Sequence, residues 1–337
     1  MYTLIKSLLF YLDPEVSHHL SLKILKLTHS LKLIRYKNLL SSQTIKLCGL
    51  TFPNQIGLAA GFDKNGDYID ALASFGFGFI EVGTVTLKPQ LGNAKPRIFR
   101  LKQDNAIINR LGFNNKGCDY LIERLKKTKF KGILGINIGK GHTTTLNSAS
   151  DEYVELFTKL FPYASYITIN ISSPNTKDLR ELQHGNLLSS LLKKLKQTQT
   201  TLNQQYNKYV PLVVKISPDL SSTELTHIAD IFLQEKIDAV IATNTTIGRE
   251  GVTDALALET GGLSGKPLNK NSTSVIKQLN KLLANKIPII ASGGILNPQD
   301  ALEKINAGAS LVQIYTGLVY SGPRLIAQLV KHFEEAI

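Results

Sequence analysis

From about residue 50 the chain alternates between two patterns. Short apolar runs rich in Val, Ile and Phe occupy 55–60, 79–84, 133–138, 166–171, 212–216, 239–243, 288–291 and 311–315. Between them lie longer stretches in which apolar residues recur every three or four positions, as at 114–128, 186–206, 222–235, 271–285 and 298–307. The first pattern predicts buried strands and the second amphipathic helices. Eight strands alternating with helices predict an α/β fold of the parallel (β/α)8 TIM-barrel type. An open doubly wound sheet is the alternative, but no GxGxxG follows the first strand. The stretch 85–113 is a long strand-to-helix connection, and in barrels such connections carry function.

The first 40 residues read differently. Residues 2–12 form one short apolar segment. Asp13 then suits an N-cap, Pro14 the first helical position and Glu15 the positive end of a helix. Leu20, Ile24, Leu27, Leu31 and Ile34 follow on one helical face. The basic residues Lys6, Lys23, Lys26, Lys32, Arg35 and Lys37 outnumber the acidic Asp13 and Glu15. The chain therefore divides into a helical hairpin, 1–40, and a barrel, 41–337. Two readings of the hairpin's apolar stripe stay open on pattern alone: it lies on a membrane surface, or it packs against the barrel.

Composition adds boundaries. With 43% hydrophobic and 19% charged residues among 337, the chain is globular. Cys48 and Cys118 offer neither a disulfide framework nor zinc-ligand spacing, so no metal is expected. No apolar run is long enough to span a bilayer, and Asp13-Pro14 cuts short the only stretch resembling a signal peptide, so a cytoplasmic location is expected. The net charge of +13 suits anionic partners in general without choosing among them.

In this fold the active site lies where the strands end at their C-terminal edge. The polar groups there are Lys64, Thr84, Asn137, Asn170 with Ser173, Lys215, and Thr243-Asn244-Thr245. Each alone is more simply a cap or turn residue; their convergence on one mouth is harder to dismiss. The last two strands run into Ser292-Gly293-Gly294 and Tyr315-Thr316-Gly317, the usual phosphate-binding position of this fold, with Gly261-Gly262-Leu263-Ser264-Gly265 nearby. Ordinary tight turns are the less favoured alternative. Asn137 and Asn170 suit a planar heterocycle. Lys215 suits a flavin that gains negative charge near N1 on reduction, so flavin mononucleotide (FMN) fits both loops and ring. Asn170-Ile171-Ser172-Ser173-Pro174-Asn175 then presents a hydroxyl over the ring. Serine can take a proton only if it passes one onward, and Thr176 with ordered water is a candidate relay.

Taken together, these residues resemble the quinone-dependent (class 2) dihydroorotate dehydrogenases. The resemblance is carried by Ala59-Ala60-Gly61-Phe62-Asp63-Lys64-Asn65-Gly66, Gly83-Thr84-Val85-Thr86, Lys95-Pro96-Arg97-Ile98-Phe99-Arg100 and Asn109-Arg110-Leu111-Gly112-Phe113-Asn114-Asn115. Further matches are Gly135-Ile136-Asn137-Ile138-Gly139-Lys140, the segment 170–176, Ala242-Thr243-Asn244-Thr245-Thr246, and the stretches 262–267 and 313–317. It implies an oxidoreductase of de novo pyrimidine (UMP) biosynthesis that oxidises (S)-dihydroorotate to orotate through FMN, with a membrane quinone as final acceptor. Ser173 would be the catalytic base. The cofactor set would be Ala60, Gly61, Phe62, Asp63, Lys64, Thr84, Asn137, Asn170, Lys215, Thr243, Gly265, Gly294, Tyr315 and Thr316. Substrate would meet Lys64, Asn109, Arg110, Leu111, Gly112, Phe113, Asn170, Asn175, Asn244 and Thr245. The Asp13-Pro14-Glu15-Val16-Ser17-His18 run is similar to the family's, which makes His18 and Arg100 candidate quinone contacts. Tyr315 would serve both sides. The hairpin would dock a monomer peripherally on the cytoplasmic face of the cell inner membrane and form the quinone tunnel. The loops 140–150 and 246–260 match poorly, and nothing is assigned there.

Three rivals compete. The cytosolic class of the same enzyme uses a Cys base and lacks the hairpin. Flavin barrels that reduce uridine in tRNA use a Cys acid, which 170–176 does not offer, so no nucleic-acid partner is expected. A non-catalytic membrane-attached binding protein would not need Lys64 and Ser173.

Overall fold

A computed structural model of the chain describes residues 2–34, 39 and 44–335. The boundary between residues 40 and 41, and the basic residues Arg35 and Lys37, lie outside the described residues.

Eight parallel strands close into a barrel: β1 (Ile56–Leu58), β2 (Phe79–Val85), β3 (Ile133–Ile138), β4 (Tyr166–Asn170), β5 (Leu212–Ile216), β6 (Ala239–Ala242), β7 (Ile289–Ser292) and β8 (Leu311–Ile314). They follow one another around the barrel in chain order, and β8 pairs with β1 to close it. Each of the eight runs anticipated from the sequence forms one strand. Every residue of these strands is buried, because one face meets the barrel interior and the other the surrounding helices. Gly57 and Gly135 make room inside: a Cβ on either would fall 2.2 Å from the ring of Phe79 or Tyr166.

The outer helices are cut where their sequences say. Ser221 and Glu224 form a capping box on the helix Ser222–Gln234, and Asn297 and Asp300 another on Pro298–Asn306. The helix Leu146–Leu160 was not anticipated. It is capped by Thr145 and buries Ala149, Tyr153, Leu156, Phe157 and Leu160, a spacing of four, three, one and three.

Two small sheets were also not anticipated. The antiparallel pair Ile45–Leu47 and Leu50–Phe52 covers the N-terminal end of the barrel, where Phe52 packs edge-on to Phe79. Ile98–Leu101, Ala106–Asn109 and Gly262–Gly265 form an antiparallel sheet, built largely from the long 85–113 connection.

Helices α1 (Tyr2–Leu9) and α2 (Pro14–Ser30) form the N-terminal hairpin. The Asp13 carboxylate accepts from the N–H groups of Glu15 and Val16, and Pro14 opens α2. Polar groups tie the hairpin down. The Tyr2 hydroxyl donates to the Val319 carbonyl at 2.6 Å, Lys6 to Tyr320 at 3.0 Å, and Arg100 to the carbonyls of Leu9 and Leu12. Arg97 and Glu15 form a buried two-point ion pair, 2.7 and 3.1 Å. The apolar stripe divides. Leu20, Leu27 and Leu31 are exposed, the last two at 59%, as are Leu4 and Leu8 of α1, whereas Ile24 and Ile34 line an inner cavity and Leu22, on the neighbouring face, is buried.

Candidate active site

A cavity of about 490 Å³ opens at the C-terminal ends of the strands and runs out between α1 and α2. Its inner end is polar. Its outer end is lined by Ile5, Leu9, Phe10, Leu22, Ile24 and Leu25 of the hairpin.

The floor rests on Glu81, a wholly buried carboxylate in the middle of β2. It accepts from the Asn137 amide at 2.8 Å, the Tyr166 hydroxyl at 2.9 Å, the Gln313 amide at 2.8 Å and the Thr168 hydroxyl at 3.2 Å. These bonds fix which way the Asn137 amide points. Its oxygen accepts from the Thr84 hydroxyl at 2.6 Å and from the Asn170 amide at 3.2 Å. Asn170 in turn accepts from Asn244 at 3.3 Å. Burial and Glu81 together hold the Tyr166 phenol well above its ordinary value, so it stays protonated. Sequence reasoning missed Glu81. The available signal was a lone carboxylate inside an apolar strand, which must be fully hydrogen-bonded to be tolerated there.

Three ammonium groups line this cavity; Lys6 donates to the Tyr320 carbonyl, whereas Lys64 and Lys215 have no hydrogen-bond acceptor among the described residues. Burial pushes Lys64 down to about 8; Glu15 opposes that and Arg97 adds to it. Burial also lowers Lys215, against the attraction of Glu81. Unpaired cations at a cavity wall suit an anionic ligand. Across the cavity, the Ser173 hydroxyl accepts from the Asn175 N–H at 3.2 Å, and the Asn175 amide donates to the Asn109 carbonyl at 3.0 Å. The Thr176 hydroxyl is buried without a partner, as is the Gln313 amide oxygen.

At the end of β7 and just beyond it, the chain lines the cavity with Ser292, Gly293, Gly294 and Ile295. Among the described residues no acceptor lies within reach of the N–H groups of Gly293, Gly294 or Ile295. Ser264 and Thr316 pair by their hydroxyls at 2.8 Å on the same wall.

Of the residues singled out in the sequence, the cavity wall gathers Ala60, Gly61, Phe62, Lys64, Thr84, Asn109, Leu111, Gly112, Phe113, Asn170, Ser173 and Asn175. It also includes Lys215, Thr243, Asn244, Thr245, Gly265, Gly294, Tyr315 and Thr316, with His18 and Arg100 toward the hairpin. Three side chains stand elsewhere. Asn137 lies beneath the wall. Asp63 turns inward to accept from the N–H groups of Asp67 and Tyr68, and burial raises its carboxyl to about 6. Arg110 pairs with Glu259 at 2.6 Å and lies over the Phe99 ring.

Three rings lead from the mouth toward α2. Tyr315 meets Phe62 at 5.3 Å between centroids, and Phe62 meets His18 at 5.0 Å. His18 bonds the Phe62 carbonyl through Nε2 at 2.9 Å. Burial, aided by the charges of Lys64 and His19, pushes the imidazole down to about 4, so it is neutral at pH 7 and donates from Nε2.

A closed parallel barrel with its polar groups assembled at the C-terminal strand ends is the architecture of a (β/α)8 enzyme. Residues 42–337 match the family model of dihydroorotate dehydrogenase. The "Dihydroorotate dehydrogenase (quinone)" of Idiomarina loihiensis is 54% identical, covering 98% of this chain and 100% of that protein. The protein of that name from Haemophilus influenzae is 51% identical over 99% of this chain and 100% of its own. A crystal structure of DHODH from Eimeria tenella in complex with ferulenol superposes with a TM-score of 0.87 at 39% identity, covering 95% of this chain and 90% of that one. The chain therefore belongs to the dihydroorotate dehydrogenase family, whose members are flavin-dependent oxidoreductases.

Proposed function

We propose that this chain oxidises (S)-dihydroorotate to orotate with FMN as hydride acceptor and passes the electrons to a membrane quinone, in de novo pyrimidine biosynthesis. The observation that carries this reading is the single cavity joining a polar barrel mouth to an apolar passage between α1 and α2. One end suits a charged heterocycle and the other an apolar acceptor.

The residues present fit a phosphate-bearing flavin. Free N–H groups at Gly293, Gly294 and Ile295 suit the phosphate. Lys215 offers a cation without a partner, and Thr84 and Asn170 offer oriented polar groups. When bound, FMN supplies the acceptor for the C6 hydride. The chain's own groups do the rest. Ser173 takes the C5 proton and passes it toward Thr176, whose hydroxyl has no other partner. Lys64 meets the substrate carboxylate, while Asn109, Asn175, Asn244 and Thr245 meet its ring amides. Arg110 and Asp63 serve through their backbone and through the turns that they hold. The residues 1–40 act as a docking and quinone-tunnel segment and 41–337 as the catalytic barrel. The outward apolar stripe supports peripheral attachment of a monomer to the cytoplasmic face of the inner membrane, with His18 and Arg100 at the quinone headgroup. No helix among the described residues is long and apolar enough to cross a membrane.

The test is anaerobic addition of dihydroorotate to the yellow protein. The flavin band bleaches in the parent. In Ser173→Ala it stays, with flavin still bound. Near-normal bleaching in that variant would refute the assignment of the base.

A further inference from the structure

Behind the two glycines that follow β7 lies a charge not used in the chemistry above. Lys304, on the helix Pro298–Asn306, is completely buried. Its Nζ donates to the Asn269 carbonyl at 2.7 Å, the Ser272 hydroxyl at 2.6 Å and the Thr273 hydroxyl at 2.6 Å. All three acceptors are neutral. They belong to the first turns of the helix Leu268–Leu283, an end that carries positive partial charge. A buried cation thus stands against the positive end of a helix, an arrangement that costs free energy unless an anion lies nearby. Burial pushes the ammonium down to about 7, and the acidic Asp300 and Glu303 only partly offset this.

The contacts have a direction. An ammonium can only donate, so the Ser272 oxygen accepts from Lys304 and its own proton goes to the Gly293 carbonyl at 3.1 Å. Asn269, whose carbonyl Lys304 holds, donates its amide to the Gly294 carbonyl at 3.0 Å. Both glycine carbonyls are drawn toward the helix. In a trans peptide the following N–H points the opposite way, so the N–H groups of Gly294 and Ile295 are turned from it. These are the groups left without an acceptor at the cavity wall. Glycine is required at 294: φ is +77°, and a Cβ would fall 2.3 Å from the Asn269 Cα.

We propose that Lys304 is a positioning residue for the flavin phosphate. Through Ser272 and Asn269 it sets the 293–295 loop with its N–H groups toward the cavity, and it places a positive charge behind them. This rests on the reading that the loop takes the FMN phosphate. A residue that merely stabilised the fold would not distinguish flavins with and without that phosphate.

The experiment uses the full-length protein loaded with FMN or, by exchange, with riboflavin. Flavin release on dilution is followed by recovery of flavin fluorescence. The parent should hold FMN much more firmly than riboflavin. In Lys304→Met, FMN release should accelerate roughly 10- to 100-fold, as for loss of a charge-assisted bond, and riboflavin release by less than about twofold. Ser272→Ala keeps the ammonium and breaks only the link to Gly293. It should shift FMN release in the same direction by a smaller factor, and it supplies the result if Lys304→Met does not fold. Equal acceleration for both flavins, or none for either, would overturn the proposal. A parent that holds riboflavin as firmly as FMN would overturn the phosphate reading beneath it as well.

Discussion

Removing the charge of Glu15 should unclasp the hairpin without unfolding the barrel. Glu15 and Arg97 are both 7% exposed and meet at two points, 2.7 and 3.1 Å. Arg97 spends its remaining nitrogen on the carbonyls of Leu91 and Asn93, which belong to the barrel side. Glu15→Gln keeps the shape and one acceptor but leaves the guanidinium buried without its counter-ion. Breaking a buried pair costs about 3–5 kcal/mol, and the acceptor that glutamine retains reduces this to about 2–3 kcal/mol. The loss should appear locally. Hydrogen exchange of amides in α1 and α2 should accelerate roughly 30- to 150-fold, at a factor of ten for every 1.4 kcal/mol, while amides of β3 to β5 keep their rates. Burial pushes the Glu15 carboxyl up, but the hydrogen bond and charge of Arg97 outweigh it and the net shift is downward. The clasp is therefore complete above the ordinary carboxylate range and is lost as pH falls through the lower folded value. In Glu15→Gln that acidic loss should be missing. Equal acceleration in hairpin and barrel, or no acceleration, would show that the Glu15–Arg97 pair does not clasp the hairpin.

Three further outcomes follow from the same geometry. His18, neutral in place with a value near 4, is protonated more readily when the hairpin opens, so docking should weaken as pH falls from about 6.5 toward 4, by up to about 3 kcal/mol; His18→Phe should flatten that part of the exchange profile, and an unchanged profile would contradict it. Lys64, with a value near 8, should give kcat/KM for dihydroorotate a downward limb above about pH 8 as its charge is lost; Lys64→Arg should move that limb beyond pH 10, and a limb that stays would assign it to another group. Leu27→Ser with Leu31→Ser should weaken sedimentation with lipid vesicles at least tenfold while flavin reduction by dihydroorotate is unchanged, since each exposed leucine is worth about 1.5–3 kcal/mol when buried in lipid; full retention on vesicles would sink the membrane role of this face.

The barrel was legible because each strand is a predominantly apolar run between turn-forming residues, and parallel barrels bury both faces of every strand. The three-residue strands at 45–47 and 50–52 carry too few positions for any period to show. The helix Leu146–Leu160 carries a helical period in its buried residues, but Asn147, Ser148, Ser150 and Asp151 fill its first turns with turn-forming types that mask it. At the mouth, the strand-end polar residues could be read one by one. What the sequence could not show is how they are held. Glu81 looks like an anomaly in β2 until four donors are seen to converge on it. Arg110 sits in a matching motif, yet Glu259, 149 positions later, takes its side chain. The hairpin stripe was readable as a face, but which way it turned depended on Tyr2, Lys6, Glu15 and Arg100 meeting distant carbonyls and charges.

We propose that electrons from dihydroorotate leave the flavin through the passage between α1 and α2. Stopped-flow measurement of both half-reactions tests it directly. Dihydroorotate should bleach the flavin under anaerobic conditions, and a short-chain quinone should restore the colour where fumarate or NAD does not. At about pH 6.5, below the Lys64 value that Glu15 helps to hold up, widening the clasp with Glu15→Gln should change the quinone step and leave flavin reduction by dihydroorotate nearly unaltered. Recovery with fumarate or NAD and not with quinone, or no bleaching by dihydroorotate, would rule out this electron route.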